Sequence, residues 1–237
     1  MNDIETYDDR WREMYRIGAV SCITVSALIL IAVIAYFIWP YAATENSTAE
    51  IFQLLQDDLF GGLVALDMIM LFIVLVNVLP LLAFYVALRK VSETYALIAL
   101  VSALIAAAAV IASRPLVEMA LLSEEYAAAV TELDKTVYLA AGEVFRMLFD
   151  GTAWFVQTIL LVLSGLIYST LMLRSDMFSR KLGWTGIIIA IFGLGFWIPQ
   201  IGIILLFLNT VLTIPWYLFT GRAFARYGWK EYSISGA

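Results

Sequence analysis

The chain has 237 residues, 63% hydrophobic and 14% charged, with a net charge of −6. Soluble domains run to roughly half apolar and one quarter charged, so this is the composition of a polytopic membrane protein, and the acidic balance argues against nucleic acid as a partner. Histidine is absent and Cys22 is the single cysteine, which excludes an intramolecular disulfide, Ser-His or Cys-His catalysis and the commonest metal and haem ligands; no cofactor is implied.

Residues 2–16 place Ile4, Tyr7, Trp11 and Met14 at helical spacing among Asp8, Asp9, Arg10, Arg12 and Glu13, which predicts a short helix on the membrane surface or a solvated start with one anchoring tryptophan. A first span follows over 17–39. It is too long for a signal-peptide core, so it is read as a retained helix, and Gly18, Cys22 and Ser26 give it one small-residue face. Pro40 ends it. The segment 40–59 holds Glu45, Glu50, Asp57 and Asp58 without a lysine or arginine, which places it on the non-cytoplasmic side. Within it Ser47-Thr48-Ala49-Glu50 fits a capping box that starts a helix with an apolar stripe of Ile51, Leu54, Leu55 and Leu59.

The second span, 61–88, carries the most informative polar residues. Asp67 sits about 9 Å of helix in from Gly61, and an ionised carboxylate at that depth needs a partner or water. Pro80 breaks the bonding to the carbonyl of Val76, and nearby Asn77 has an amide able to cap that carbonyl or bond a neighbouring helix. Two readings stay open: a kinked helix lining a path for cations, protons or a polar headgroup, or a bent helix whose carboxylate is paired near the interface. The third span, 95–113, is rich in alanine and suited to close packing, and Arg114-Pro115 closes it. Arg114 is either the partner of Asp67 or an ordinary snorkelling arginine.

Residues 116–151 form the long polar segment. Tyr126, Val130, Leu133, Val137, Ala141, Val144 and Leu148 recur at three or four residues, which predicts one or two amphipathic helices capping the bundle, docking a partner or resting on headgroups. The fourth span, 152–173, has Trp154 at its edge, Gln157 inside, and Gly165 and Ser169 four apart. Residues 182–220 then run without a charge. At about 1.5 Å per residue that is nearly twice one crossing, so the sequence predicts a hairpin of spans 182–198 and 202–220 broken at Pro199-Gln200-Ile201-Gly202. Gly186, Ala190 and Gly193 share a face of the fifth span; the sixth holds Asn209 and a second candidate hinge, Pro215.

The basic residues orient these spans. Arg10, Arg12, Arg16, Arg89, Lys90, Arg174, Arg180, Lys181, Arg222, Arg226 and Lys230 fall on one side, leaving Arg114, Lys135 and Arg146 on the other, so both termini are expected in the cytoplasm. No phosphate-binding loop, nucleotide turn, intramembrane aspartyl protease pattern or inverted repeat is present.

The run Tyr168-Ser169-Thr170-Leu171-Met172-Leu173-Arg174-Ser175-Asp176-Met177-Phe178-Ser179-Arg180-Lys181-Leu182-Gly183, followed by Gly193-Leu194-Gly195, is similar to prokaryotic six-span membrane proteins catalogued as a domain of unknown function. Leu82 to Val91 followed by Ala96-Leu97 resembles the junction between that family's second and third spans. The resemblance implies a fold and a topology, with no assigned activity.

The expectation is therefore an all-α bundle of six transmembrane helices with an extracytoplasmic amphipathic cap, one domain in a prokaryotic cytoplasmic membrane. The leading function is non-enzymatic, an accessory or scaffold protein whose partners are membrane lipids, a membrane protein or a second copy. The alternative is a transporter or channel for small solutes or cations, with Asp67, Asn77, Arg114 and Gln157 as its polar contacts and Pro80 and Pro215 as hinges. An intramembrane enzyme built on Asp67, Glu118 and Glu143 ranks last, because no base-nucleophile pair can be named.

Overall fold

A computed structural model describes residues 9–198 and 200–229. They form ten α-helices and no strand: α1 (Arg12–Ile38), α2 (Thr48–Asp57), α3 (Leu59–Ala65), α4 (Met68–Leu88), α5 (Glu93–Ala112), α6 (Leu116–Ala128), α7 (Glu132–Leu148), α8 (Thr152–Met172), α9 (Arg180–Gly193) and α10 (Gly202–Gly228). Five helical stretches among these residues are long and apolar enough to cross a membrane: Arg12–Ile38, Met68–Leu88, Glu93–Ala128, Glu132–Met172 and Ile204–Gly228.

Three expectations change. From Arg12 onward the N-terminal segment is continuous with α1, so no separate surface helix precedes the span there, and residues 2–8 lie outside the described residues. The segment read as one helix over 61–88 is two, α3 and α4, because the backbone turns left-handed at Asp67, φ 78°. The helix of the expected fifth span has 14 residues and passes into a 3-10 turn at Leu194–Trp197. About 21 Å of α-helix falls short of a hydrocarbon core of roughly 30 Å, so this stretch is not among the five. Pro199 of the expected break lies outside the described residues; its neighbour Gln200 has φ 71°.

The chain divides into two compact units. Of the described residues, the first comprises 9–27, 76–104, 160–198 and 200–229. Its core is aromatic: Phe84 lies 5.4 Å from the ring of Phe224, 5.6 Å from Trp216 and 6.1 Å from Phe178. Small residues set the helix spacing around it. A Cβ on Gly18 would come to 2.5 Å from the Cβ of Ala83, so α1 and α4 meet at backbone distance there, and Cys22 and Ser26 on the same face are buried. Gly186 of α9 likewise leaves room only for the Ser169 side chain of α8, so the predicted small-residue seam is a helix contact. Ala96, Ala99 and Ala103 turn one face of α5 inward while Leu97, Ile98 and Val101 stay exposed. Such a one-sided burial is what a lipid-facing helix shows.

The second unit comprises residues 28–75 and 105–159. Here α2 packs on α6 and α7 over a core of Ile51, Phe52, Leu55, Leu66, Leu116, Met119 and Phe149. The capping box forms as the sequence predicts. Ser47 accepts from the Glu50 amide and Glu50 Oε2 accepts from the Ser47 amide at 2.7 Å, which fixes where α2 begins. Ser123 of α6 donates to the carbonyl of Phe52 at 3.0 Å and accepts from Gln56 through its own carbonyl at 3.0 Å. Gly142 lets α7 approach α2, because a Cβ there would sit 2.5 Å from Phe52 Cζ.

Candidate functional site

The second unit contains a buried charge cluster, and local sequence builds each of its parts. Asp58 caps α3: its carboxylate accepts from the Gly61 amide and from the Trp39 indole, both at 3.0 Å, which holds it below the usual carboxylate range. After α3 the backbone turns at Asp67, a residue type that tolerates the left-handed region better than most, and α4 starts one residue later. Asp67 therefore stands at the positive end of the α4 dipole.

Arg114 is aimed by the proline after it. Pro115 disfavours helical geometry at Arg114 and ends α5; its φ −77° and ψ 63°, with the Leu116 amide bonded to the Arg114 carbonyl at 2.8 Å, make an inverse γ-turn. The guanidinium Nε donates to Asp67 Oδ2 at 2.8 Å. Nη1 donates to Ser113 Oγ at 2.9 Å, to the Ser113 carbonyl at 3.2 Å and to the Phe149 carbonyl at 3.1 Å. Those two carbonyls follow the last turns of α5 and α7, so one cation meets the negative ends of two helices while its carboxylate partner meets the positive end of a third. The guanidinium carbon lies 4.5 Å from the Trp154 ring centroid and 5.2 Å from that of Phe149. The other oxygen of Asp67 accepts from the Tyr36 hydroxyl.

This cluster is closed. The Arg114 side chain is 1% exposed and that of Asp67 12%. Both carboxylate oxygens are taken, and the arginine is spread over three chain segments and two rings. Such an arrangement fastens the end of α1, the α3–α4 break, the α5–α6 turn and the α7–α8 turn to one another.

The other candidates have different surroundings. Gln157 is buried, and its Oε1 accepts from the Thr158 hydroxyl at 3.2 Å. Asn77 belongs to the first unit, where its Oδ1 accepts from the Tyr217 hydroxyl at 2.5 Å. Of its two expected roles, it takes the bond to a neighbouring helix. Pro80 and Pro215 both lie inside unbroken helices, α4 and α10. Ser26 donates to the Ile214 carbonyl beside Pro215 at 2.9 Å, and Asn209 donates to the Ile189 carbonyl at 2.7 Å. Asp67 and Arg114 are thus brought together, whereas Asn77 bonds Tyr217 of α10 and Gln157 bonds its chain neighbour Thr158.

A second charged link joins the helices over the core of the second unit. Glu143 of α7 accepts from Thr48 of α2 at 2.6 Å and is gripped by Arg146 at 2.6 and 2.9 Å, while Arg146 also reaches the Ala43 carbonyl at 3.3 Å. The Arg146 bonds first, and the Thr48 bond second, lower the Glu143 carboxyl from 4.5 to about 2. Glu118 is exposed on α6. Among the described residues no group of three His, Cys, Asp or Glu side chains is placed to hold a metal.

Sequence reasoning missed Tyr36, Ser113 and Phe149. Tyr36 and Ser113 read as ordinary span-end residues and Phe149 as one more apolar residue of the amphipathic segment, and nothing in their spacing marks them; only the fold brings the three to Asp67 and Arg114.

The chain belongs to the family described as Domain of unknown function (DUF4386), whose model matches residues 18–224. No curated protein and no solved structure matches it.

Proposed function

We propose that the chain is a six-crossing protein of a prokaryotic cytoplasmic membrane with both termini on the cytoplasmic side. In this reading α2, α6 and α7 form a cap on the opposite side, and the protein acts as a non-enzymatic accessory or scaffold subunit that binds a lipid or a membrane partner. The sixth crossing is α9 with its 3-10 extension. It is supported by the absence of charge from 182 to 220, a length that one crossing cannot hold.

The observation that carries the scaffold reading is the use made of the buried ion pair. Asp67, the residue best suited to a solute path, is bonded through both oxygens to Arg114 and Tyr36. The cost of burying these two charges is repaid by joining four chain segments rather than by exposing either charge to a solute. A scaffold needs such a fixed framework.

Native mass spectrometry of protein extracted gently from its own membrane tests the proposal. A stoichiometric lipid or protein adduct on the 26.5 kDa chain is expected. A bare chain that conducts a cation in sealed vesicles, with the flux abolished by Asp67→Asn in folded protein, would overturn it in favour of transport.

A further inference from the structure

Helix α7 has two apolar faces. One, with Gly142, Leu139, Phe145 and the following Phe149, packs onto α2 and the core beneath it. The other is open: Leu133 is 73% exposed, Val137 57%, Val144 62% and Met147 62%. With Ala140 these residues fall within roughly 80° of arc along about 21 Å of helix. The stripe carries no charge, and acids lie to its sides: Glu132 and Glu143 on one, Asp134 on the other.

We propose that this stripe is seated in the headgroup–acyl boundary of the bilayer, with zwitterionic phospholipid as its occupant. The inference rests on the cap reading given above and names what the cap touches. Three observations select lipid. First, the stripe is wholly aliphatic, without the aromatic or arginine anchors that carry protein interfaces, and fluid acyl chains make no demand for shape. Second, it runs on into a lipid-facing surface: Leu148 is exposed at the end of α7, the chain turns over Phe149 to Gly151, and Phe155, Val156 and Ile159 of α8 are exposed beyond it. Third, the bases of α7 are engaged by its own acids, Lys135 with Glu132 at 3.1 Å and Arg146 with Glu143 at 2.6 Å, which leaves nothing on this helix to draw in an anionic phosphate.

Nitroxide labels decide it. Val137→Cys, Val144→Cys and, as the polar-flank control, Asp134→Cys are made in a Cys22→Ala background, labelled and reconstituted in phosphatidylcholine vesicles. Accessibility to oxygen, which concentrates in lipid, is compared with accessibility to a water-soluble nickel chelate. Oxygen is expected to exceed the chelate at 137 and 144, with the order inverted at 134. Either stripe site showing the profile of 134 overturns the proposal. Shielding of both sites from both reagents, or dipolar broadening between labels, also overturns it, in favour of a protein neighbour. The side of the membrane is scored separately by labelling Asp134→Cys with an impermeant maleimide in intact cells, so a wrong orientation is distinguishable from a stripe that does not touch lipid.

Discussion

Replacing Arg114 by methionine keeps much of the apolar stem and removes the charge, and the structure assigns it a large cost. The variant leaves the Asp67 carboxylate buried with one remaining partner, Tyr36, and deprives the carbonyls of Ser113 and Phe149 of their donor. Breaking a buried pair from one side costs about 3–5 kcal/mol, most of it from the uncompensated charge. Asp67→Asn strands the guanidinium but retains an oxygen that can accept from it, so its cost is lower, about 1.5–3 kcal/mol for a hydrogen bond to a charged group. The double variant has neither charge and should be more stable than the sum of the two losses predicts, by about 1–3 kcal/mol of coupling. Reversible unfolding in mixed micelles of mild detergent and dodecyl sulfate gives all three values. An Arg114→Met protein within about 1 kcal/mol of the parent, set against that 3–5 kcal/mol, would refute the clamp. Strict additivity in the double variant would refute the pairing as its cause.

Other perturbations test the remaining contacts. Gly142→Leu forces a side chain into Phe52 and Thr48, and should separate α7 from α2, read as proteolysis between 129 and 132 with the spans still folded. Tyr217→Phe removes the bond to Asn77 and should cost about 1 kcal/mol in the same micelle titration. Glu143 has a folded-state carboxyl pKa lowered from 4.5 to about 2, so its contribution is complete above 4.5 and is lost as pH falls toward 2. Protection of the α2 and α7 amides in hydrogen exchange should therefore decline over that window, and Glu143→Gln should flatten the decline.

The sequence shows the helical class and nearly every helix, because in a membrane the apolar runs, the prolines and the capping signals all report the same boundaries. Ser47 to Glu50 announces α2, and Pro115 announces the end of α5. The break at Asp67 is not legible, since its neighbours Leu66 and Met68 are as apolar as any span interior and no proline or glycine marks the turn. The Asp67–Arg114 pairing can be guessed from two charges at the ends of adjacent spans. Its closure depends on Tyr36 and Phe149, 31 and 35 residues from their partners, and distances of that kind come from packing rather than from pattern. The short fifth helix is hidden for the opposite reason: hydropathy measures composition along the chain and is blind to a helix tightening into a 3-10 turn at Leu194.

Why an arginine stands at 114 follows from the same geometry. The chain stops being helical at three places that meet there, each stop leaving backbone groups unbonded where water is scarce. A lysine offers a point charge on a flexible stem, whereas the planar guanidinium sends Nε toward Asp67 and Nη1 toward two helix ends, with its carbon over the rings of Trp154 and Phe149. Arg114→Lys keeps the charge and loses this division of labour. The carboxylate then stays paired while the Phe149 carbonyl loses its donor, so the α7–α8 turn should loosen ahead of the α3–α4 break. Amide exchange that speeds up more at 149–152 than at 66–70 in that variant is the expected order, and unchanged exchange at 149–152 would mean that charge alone, without the fork, holds the cluster together.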